Sequence, residues 1–179
     1  MSTQRDRYNA VVAEVESDLN KVEIFLNEDN NIEADGFGAG KRIVAEVVLN
    51  SDTDVFADFA IRDALIMNSL ENEDFAMVLC NKIVHTLHDK VEVQGIAPKQ
   101  SDLEALTLAC NVSLMWEQID AATGLATLIP NIAEQYDLEQ PSLLGLTQRL
   151  IMASHTFDIA GLRESSVASI KDDVMASLD

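Results

Sequence analysis

The stretch from Ser101 to His155 limits the possible folds most strongly, because its apolar pattern is satisfied only by packed helices. It reads SDLEALTLACNVSLMWEQIDAATGLATLIPNIAEQYDLEQPSLLGLTQRLIMASH. Apolar residues recur at spacings of three and four through Leu103, Leu106, Ala109, Cys110 and Leu114, and again through Leu125, Leu128, Ile129, Ile132 and Ala133. That period predicts two amphipathic helices joined by a tight connection. Pro141 predicts the start of a third. Ala105, Ala109, Ala121, Ala122, Gly124 and Ala126 let neighbouring backbones approach closely, and Trp116 is the large anchor beside the connection.

Composition points the same way. Of 179 residues, 47% are hydrophobic and only 5% aromatic, so the core is built of Ala, Val, Leu and Ile. Three prolines and seven glycines are too few for the turns of a β-sandwich or barrel. The expected fold is all-α, a compact bundle of about six to seven helices with a helix-hairpin C-terminal half. Gly95 and Pro98 break the periodicity over 93–100, which divides a helical half at 1–92 from a repeat-like half at 101–179, the two packed as one domain.

Along the N-terminal half, Tyr8, Val11, Val12, Val15, Leu19, Val22 and Leu26 share one helical face. The competing reading pairs Val22–Leu26 with Ile43–Leu49 as a hairpin. Residues 27–40 are polar and glycine-rich, predicting a mobile loop. GFGAGKR resembles a phosphate loop only superficially: Asp35 stands where its first glycine belongs and Arg42 where Ser or Thr must follow the lysine. A helix is expected over 41–49. Ser51 or Asp52 then caps a third helix that buries Val55, Phe56, Phe59, Ala60, Ile61, Ala64 and Met67. Arg62 and Asp63 in that apolar setting predict a structural ion pair or a cap to a neighbouring helix end. Residues 71–74 separate this helix from the next and cap it.

His85, His88 and Asp89 form the one local group of ligand-like residues. Two imidazoles three apart share a helix face, but two ligands make no site and the zinc-protease spacing is absent. No metal or other cofactor is therefore expected. Ser101 and Glu104 carry a capping-box signature. A last helix spans about Ile159 to Leu178, with Leu162, Val167, Ile170, Val174 and Leu178 inward and its end frayed by Asp172, Asp173 and Asp179.

The chain has 31 acidic against 12 basic side chains, a net charge of -19. Residues 101–179 carry 12 acids and 3 bases, and no Lys or Arg lies between Lys99 and Arg149. Such a surface repels nucleic acid and anionic lipid, which excludes direct binding to either. Cys80 and Cys110 lie in apolar helical stretches and read as buried thiols in a reducing compartment. No run approaches the roughly 20 apolar residues that span a bilayer. A cytoplasmic, non-enzymatic protein is expected, since no nucleophile elbow, metal motif or nucleotide loop is present.

Phe59-Ala60-Ile61-Arg62-Asp63-Ala64-Leu65, followed by Leu103–Asn111, Trp116–Ala122 and Leu138–Leu150, resembles the C-terminal helical portion of an actinobacterial domain-of-unknown-function family also carried by actinobacterial phages. The resemblance spans roughly residues 55–165, without that family's larger N-terminal part. It implies tetratricopeptide-like packing of helix pairs and a phage or actinobacterial source. It supplies no catalytic residue.

The expected role is protein–protein interaction or assembly, with a protein partner or a second copy of the chain. The candidate surface is Trp116, Glu117, Asp120, Glu134, Asp137 and Glu139 in the cation-free region. These acids also read as the solvated side of ordinary helices. An alternative is a nucleic-acid mimic that occupies the basic site of a DNA- or RNA-binding protein.

Overall fold

The computed structural model describes residues 2–28, 53–141, 144–153 and 158–179. These form α1 (Gln4–Glu28), a 3-10 turn (Thr53–Ala57), α2 (Phe59–Glu71), α3 (Glu73–His88) running into a π turn (Asp89–Val93), α4 (Gln100–Met115), α5 (Ile119–Gln135), α6 (Leu144–Met152) and α7 (Ile159–Ala176). No strand occurs among the described residues. The described residues thus form an all-helical compact bundle. Val22–Leu26 belongs to α1, whereas the Gly-rich segment over 29–40 and the helix expected over 41–49 lie outside the described residues.

The axis of the bundle is α4, which buries 12 of its 16 residues. Leu103, Leu106, Leu108 and Leu114 are fully enclosed, and α2, α3, α5 and the 3-10 turn all pack against this helix. Phe56, Leu65, Phe75, Leu79, Ile83 and Ile129 complete the core. Truncating any of these large side chains to Ala is expected to cost about 2–5 kcal/mol.

The helix starts are set by side chains that accept from exposed first-turn amides. Asn72 Oδ1 accepts from Phe75 N at 3.0 Å, so the expected cap between the second and third described helices is present. Two other starts differ from expectation. The apolar helix begins at Phe59, capped by Asp58, which accepts from Ala60 N at 3.1 Å, while the expected caps Ser51 and Asp52 lie outside the described residues. Starting there turns Phe59 outward, 64% exposed, where its ring stacks under the Arg62 guanidinium. At α4 the acid that accepts from the Lys99 amide is Asp102, at 2.8 Å. Ser101 instead hydrogen-bonds Asp54, and Glu104 forms the ion pair with buried Arg62.

The last helix also departs from its predicted face. Ile159 and Leu178 are buried, but Leu162 and Ile170 are 38% and 45% exposed, because α7 rests mainly on α2 along a narrow strip. Its C-terminal turn is held. Arg5 of α1 donates to Met175 O at 2.9 Å and pairs with Asp179 at 2.9 Å, supplying the cation that this helix end lacks.

Candidate functional site

Helices α3 and α5 lie along α4 and leave a groove between them. The groove consists of two cavities that share Val84. One, of about 300 Å³, is lined by Val84, Leu87, His88, Pro98, Leu106, Leu128, Ile132, Gln135 and Tyr136. The other, of about 350 Å³, is lined by Met77, Cys80, Asn81, Ser113, Gln118, Ala121, Gly124 and Leu125. Helix α4 provides the floor through Leu106 and Ser113. The walls are apolar, with Val84 37% and Leu128 43% exposed, and amide side chains stand at the rims.

Backbone geometry closes both ends of α5. The hairpin from α4 to α5 is a Schellman turn: Glu117 N donates to Leu114 O and Gln118 N to Ser113 O, each at 2.9 Å. Glu117 sits at φ 59, the left-handed conformation usually given to glycine. The same turn recurs after α5, with Asp137 at φ 54 and Leu138 N donating to Ala133 O at 2.8 Å. Each acid therefore follows or precedes a groove-lining residue, Gln118 at one end and Tyr136 at the other.

Within α5, Pro130 has no amide for the Ala126 carbonyl one turn earlier. Gln148 Nε2 of α6 donates to that oxygen at 3.4 Å. The proline is thus tolerated because a neighbouring helix supplies the missing donor.

The electrostatics of the groove are one-sided. The cation of α3, Lys82, is fully buried on the far side and pairs with Asp18, with Glu14 at 3.6 Å. Helices α4 and α5 contain no Lys or Arg. Beyond α3, Lys90 pairs with buried Asp102 at 2.5 Å, and Lys99 pairs with Asp54 at 2.7 Å. Asp102 also accepts from Thr53 Oγ1 at 2.7 Å, which fixes the 3-10 turn to the start of α4.

The thiols are chemically quiet. Burial pushes Cys80 up to about 12 and Cys110 up to about 11. Both stay protonated at neutral pH, and Cys110 Sγ donates to Ala122 O at 3.3 Å.

The six residues singled out from sequence are not one patch. Trp116 is half-buried: its Nε1 donates to Ser69 O at 2.7 Å, and Arg163 lies 3.8 Å over its ring while donating to Met115 O at 2.5 Å. It joins the hairpin to α2 and α7. Glu117 and Asp120 are exposed at the start of α5, and Glu134, Asp137 and Glu139 at its end. Some sixteen residues of helix, about 24 Å at 1.5 Å per residue, separate the two acidic groups. Gln100 fixes the second group by bonding the Glu139 backbone in both directions, at 2.8 and 3.1 Å.

The sequence did not single out Val84, Gln135 or Tyr136 and marked Pro98 only as a break in periodicity, since their place in the groove depends on tertiary packing. The spacing of Leu128 on α5 was visible, but not that it faces a groove. His88 lines the groove and His85 is half-buried; His155 lies outside the described residues. Among the described residues no three His, Cys, Asp or Glu side chains cluster as metal ligands, and no helix is long and apolar enough to cross a membrane.

The class defined by this fold and site is an all-helical bundle with an apolar groove whose lining contains no Lys or Arg. Compared with protein-family models, curated proteins and solved structures, the chain matches none.

Proposed function

We propose that this protein is a non-enzymatic, acidic helical interaction module that docks a helical segment of a protein partner between α3 and α5. The observation that carries the reading is the groove itself: two apolar cavities in line, joined at Val84, between helices that share a floor. A groove of this shape suits an amphipathic helix, whose residues at spacings of three, four and seven enter successive pockets. The hairpin α4–α5 with α6 serves as the repeat-like corner that presents one wall. The separation of Glu117 and Asp120 from Glu134, Asp137 and Glu139 by the length of α5 favours this reading over nucleic-acid mimicry at this surface, which calls for a continuous row of charge at phosphate-like spacing.

The test is selection of displayed helical peptides on the immobilised protein, with each enriched peptide re-measured on a Val84→Glu/Leu128→Glu variant. Both positions are partly exposed, so the variant is expected to fold. Peptides that bind the wild type and fail on the variant support the groove. A selection whose binders do not distinguish the two proteins contradicts it.

A further inference from the structure

The groove carries more information than its shape. Gly124 lies in the second turn of α5 and lines the groove, and a Cβ placed on it meets no atom within 4 Å. Nothing inside the bundle requires a glycine there, and glycine within a helix lowers stability relative to alanine. A residue without a side chain at an open wall instead suits close approach of another backbone. Ala121, one turn earlier, widens the same section of wall.

The second observation is charge. The groove-facing helices offer no unpaired Lys or Arg, since Lys82 is turned to Asp18 and α4 and α5 have neither; the one titratable base in the lining is His88. Acids stand beyond both ends of α5, Glu117 and Asp137 among them, in left-handed turn positions where glycine is the easier choice. Asp137 also sits at the partially negative C-terminal end of α5, where an acid is disfavoured, whereas Glu117 adjoins the N-terminal end of α5. A second copy of this chain, with its own charge of -19, is repelled from such a site.

We infer that the occupant is a cationic amphipathic helix of a protein partner, its apolar face crossing α5 at Gly124 and its basic residues grouped toward both ends. The inference rests on the groove reading above and adds the chemistry and seat of the partner. Both acidic turns then act on the approach of the helix, so association is fast and salt-sensitive.

The experiment measures fluorescence anisotropy of a labelled Leu/Lys amphipathic peptide, roughly 20 residues long to match α5 and its turns. Its Leu/Glu counterpart is the control. Both are titrated with wild-type protein, Gly124→Leu and Gly145→Leu, at about 50 and 500 mM salt to vary screening. Gly145 of α6 also faces open space but lies outside the groove, so its variant controls for a new exposed leucine.

The Leu/Lys peptide is expected to bind the wild type and Gly145→Leu alike, and to bind Gly124→Leu at least about tenfold more weakly. Binding that Gly124→Leu and Gly145→Leu leave equal, or no saturable binding, overturns the inference. Equal affinity for the Leu/Glu peptide overturns the cationic occupant, while its loss on Val84→Glu/Leu128→Glu still keeps the groove. Loss of the selected peptides' discrimination on that double variant is the separate result that removes the groove reading itself.

Discussion

Lys82 is neutralised by Asp18 inside the bundle, and this pair takes the charge of α3 away from the groove and locks α3 to α1. The ammonium is 1% exposed and its second acid, Glu14, stands 3.6 Å off. Replacing Asp18 by Ala leaves the buried cation with Glu14 alone, at 3.6 Å, so the account predicts a loss of about 3 kcal/mol. Asp18→Ala combined with Lys82→Met is expected to recover most of that loss, because the buried ammonium is gone and only the partly exposed Glu14 carboxylate remains. Urea unfolding followed by the fluorescence of Trp116, the chain's single tryptophan, measures all three proteins. Additive losses in the double variant would contradict the pairing.

Gly124→Ala is predicted to stabilise the free protein by about 0.5–1 kcal/mol, since the methyl group meets open space and the helix gains propensity. Glu117→Gly is predicted to stabilise it by about 1 kcal/mol, by releasing a left-handed non-glycine residue. Thermal unfolding checks both. A fall in melting temperature for either would mean that the native residue makes a stabilising contact in the free protein.

The bundle's response to alkali follows from its thiols. Cys80 and Cys110 are pushed by burial from 9.0 to about 12 and about 11, so the folded form holds both protons after the unfolded chain has released them. Stability from this source is complete below pH 9 and declines through the interval up to those raised values. The slope is about 1.4 kcal/mol per pH unit for each thiol within its interval. Burial raises Tyr8 in the same sense, so the wild type must be compared with Cys80→Ala/Cys110→Ala, in which Tyr8 is unchanged. The variant's stability curve is expected to be flatter above pH 9. Parallel curves would show that the thiols are not buried as described.

Gln148 and Pro130 are coupled through the Ala126 carbonyl. Gln148→Ala is expected to cost about 0.5–1 kcal/mol in the wild type and close to nothing once Pro130→Ala restores the helix's own amide. A double-mutant cycle by chemical denaturation reads the difference. Equal costs in both backgrounds would remove the compensation.

The helical class, α4 and α5, the Asn72 cap and the break after α3 were legible because each depends on residues close in sequence. Misreadings arose where a distant partner decides the outcome. Ser101 and Glu104 fit a capping box, yet Asp54 and buried Arg62 claim their side chains, leaving Asp102 to bond the Lys99 amide. Phe59 has the right periodicity for the core, but a start at Asp58 turns it to solvent. Leu162 and Ile170 likewise lie off the strip that α2 covers. For the candidate site, the cation-free interval and its acids could be read directly. Their separation by the length of α5, and the groove between those ends, exist only after α3 and α5 have packed on the same helix.

The most direct test of the interaction groove is amide chemical-shift mapping by NMR, titrating labelled protein with the helical peptides recovered by selection. The account predicts shifts concentrated in Met77–His88 of α3 and Gln118–Tyr136 around α5, with Val84 and Gly124 among the largest. Shifts confined to α1, α2 and α7 would contradict it and move the binding surface to the opposite side of the bundle.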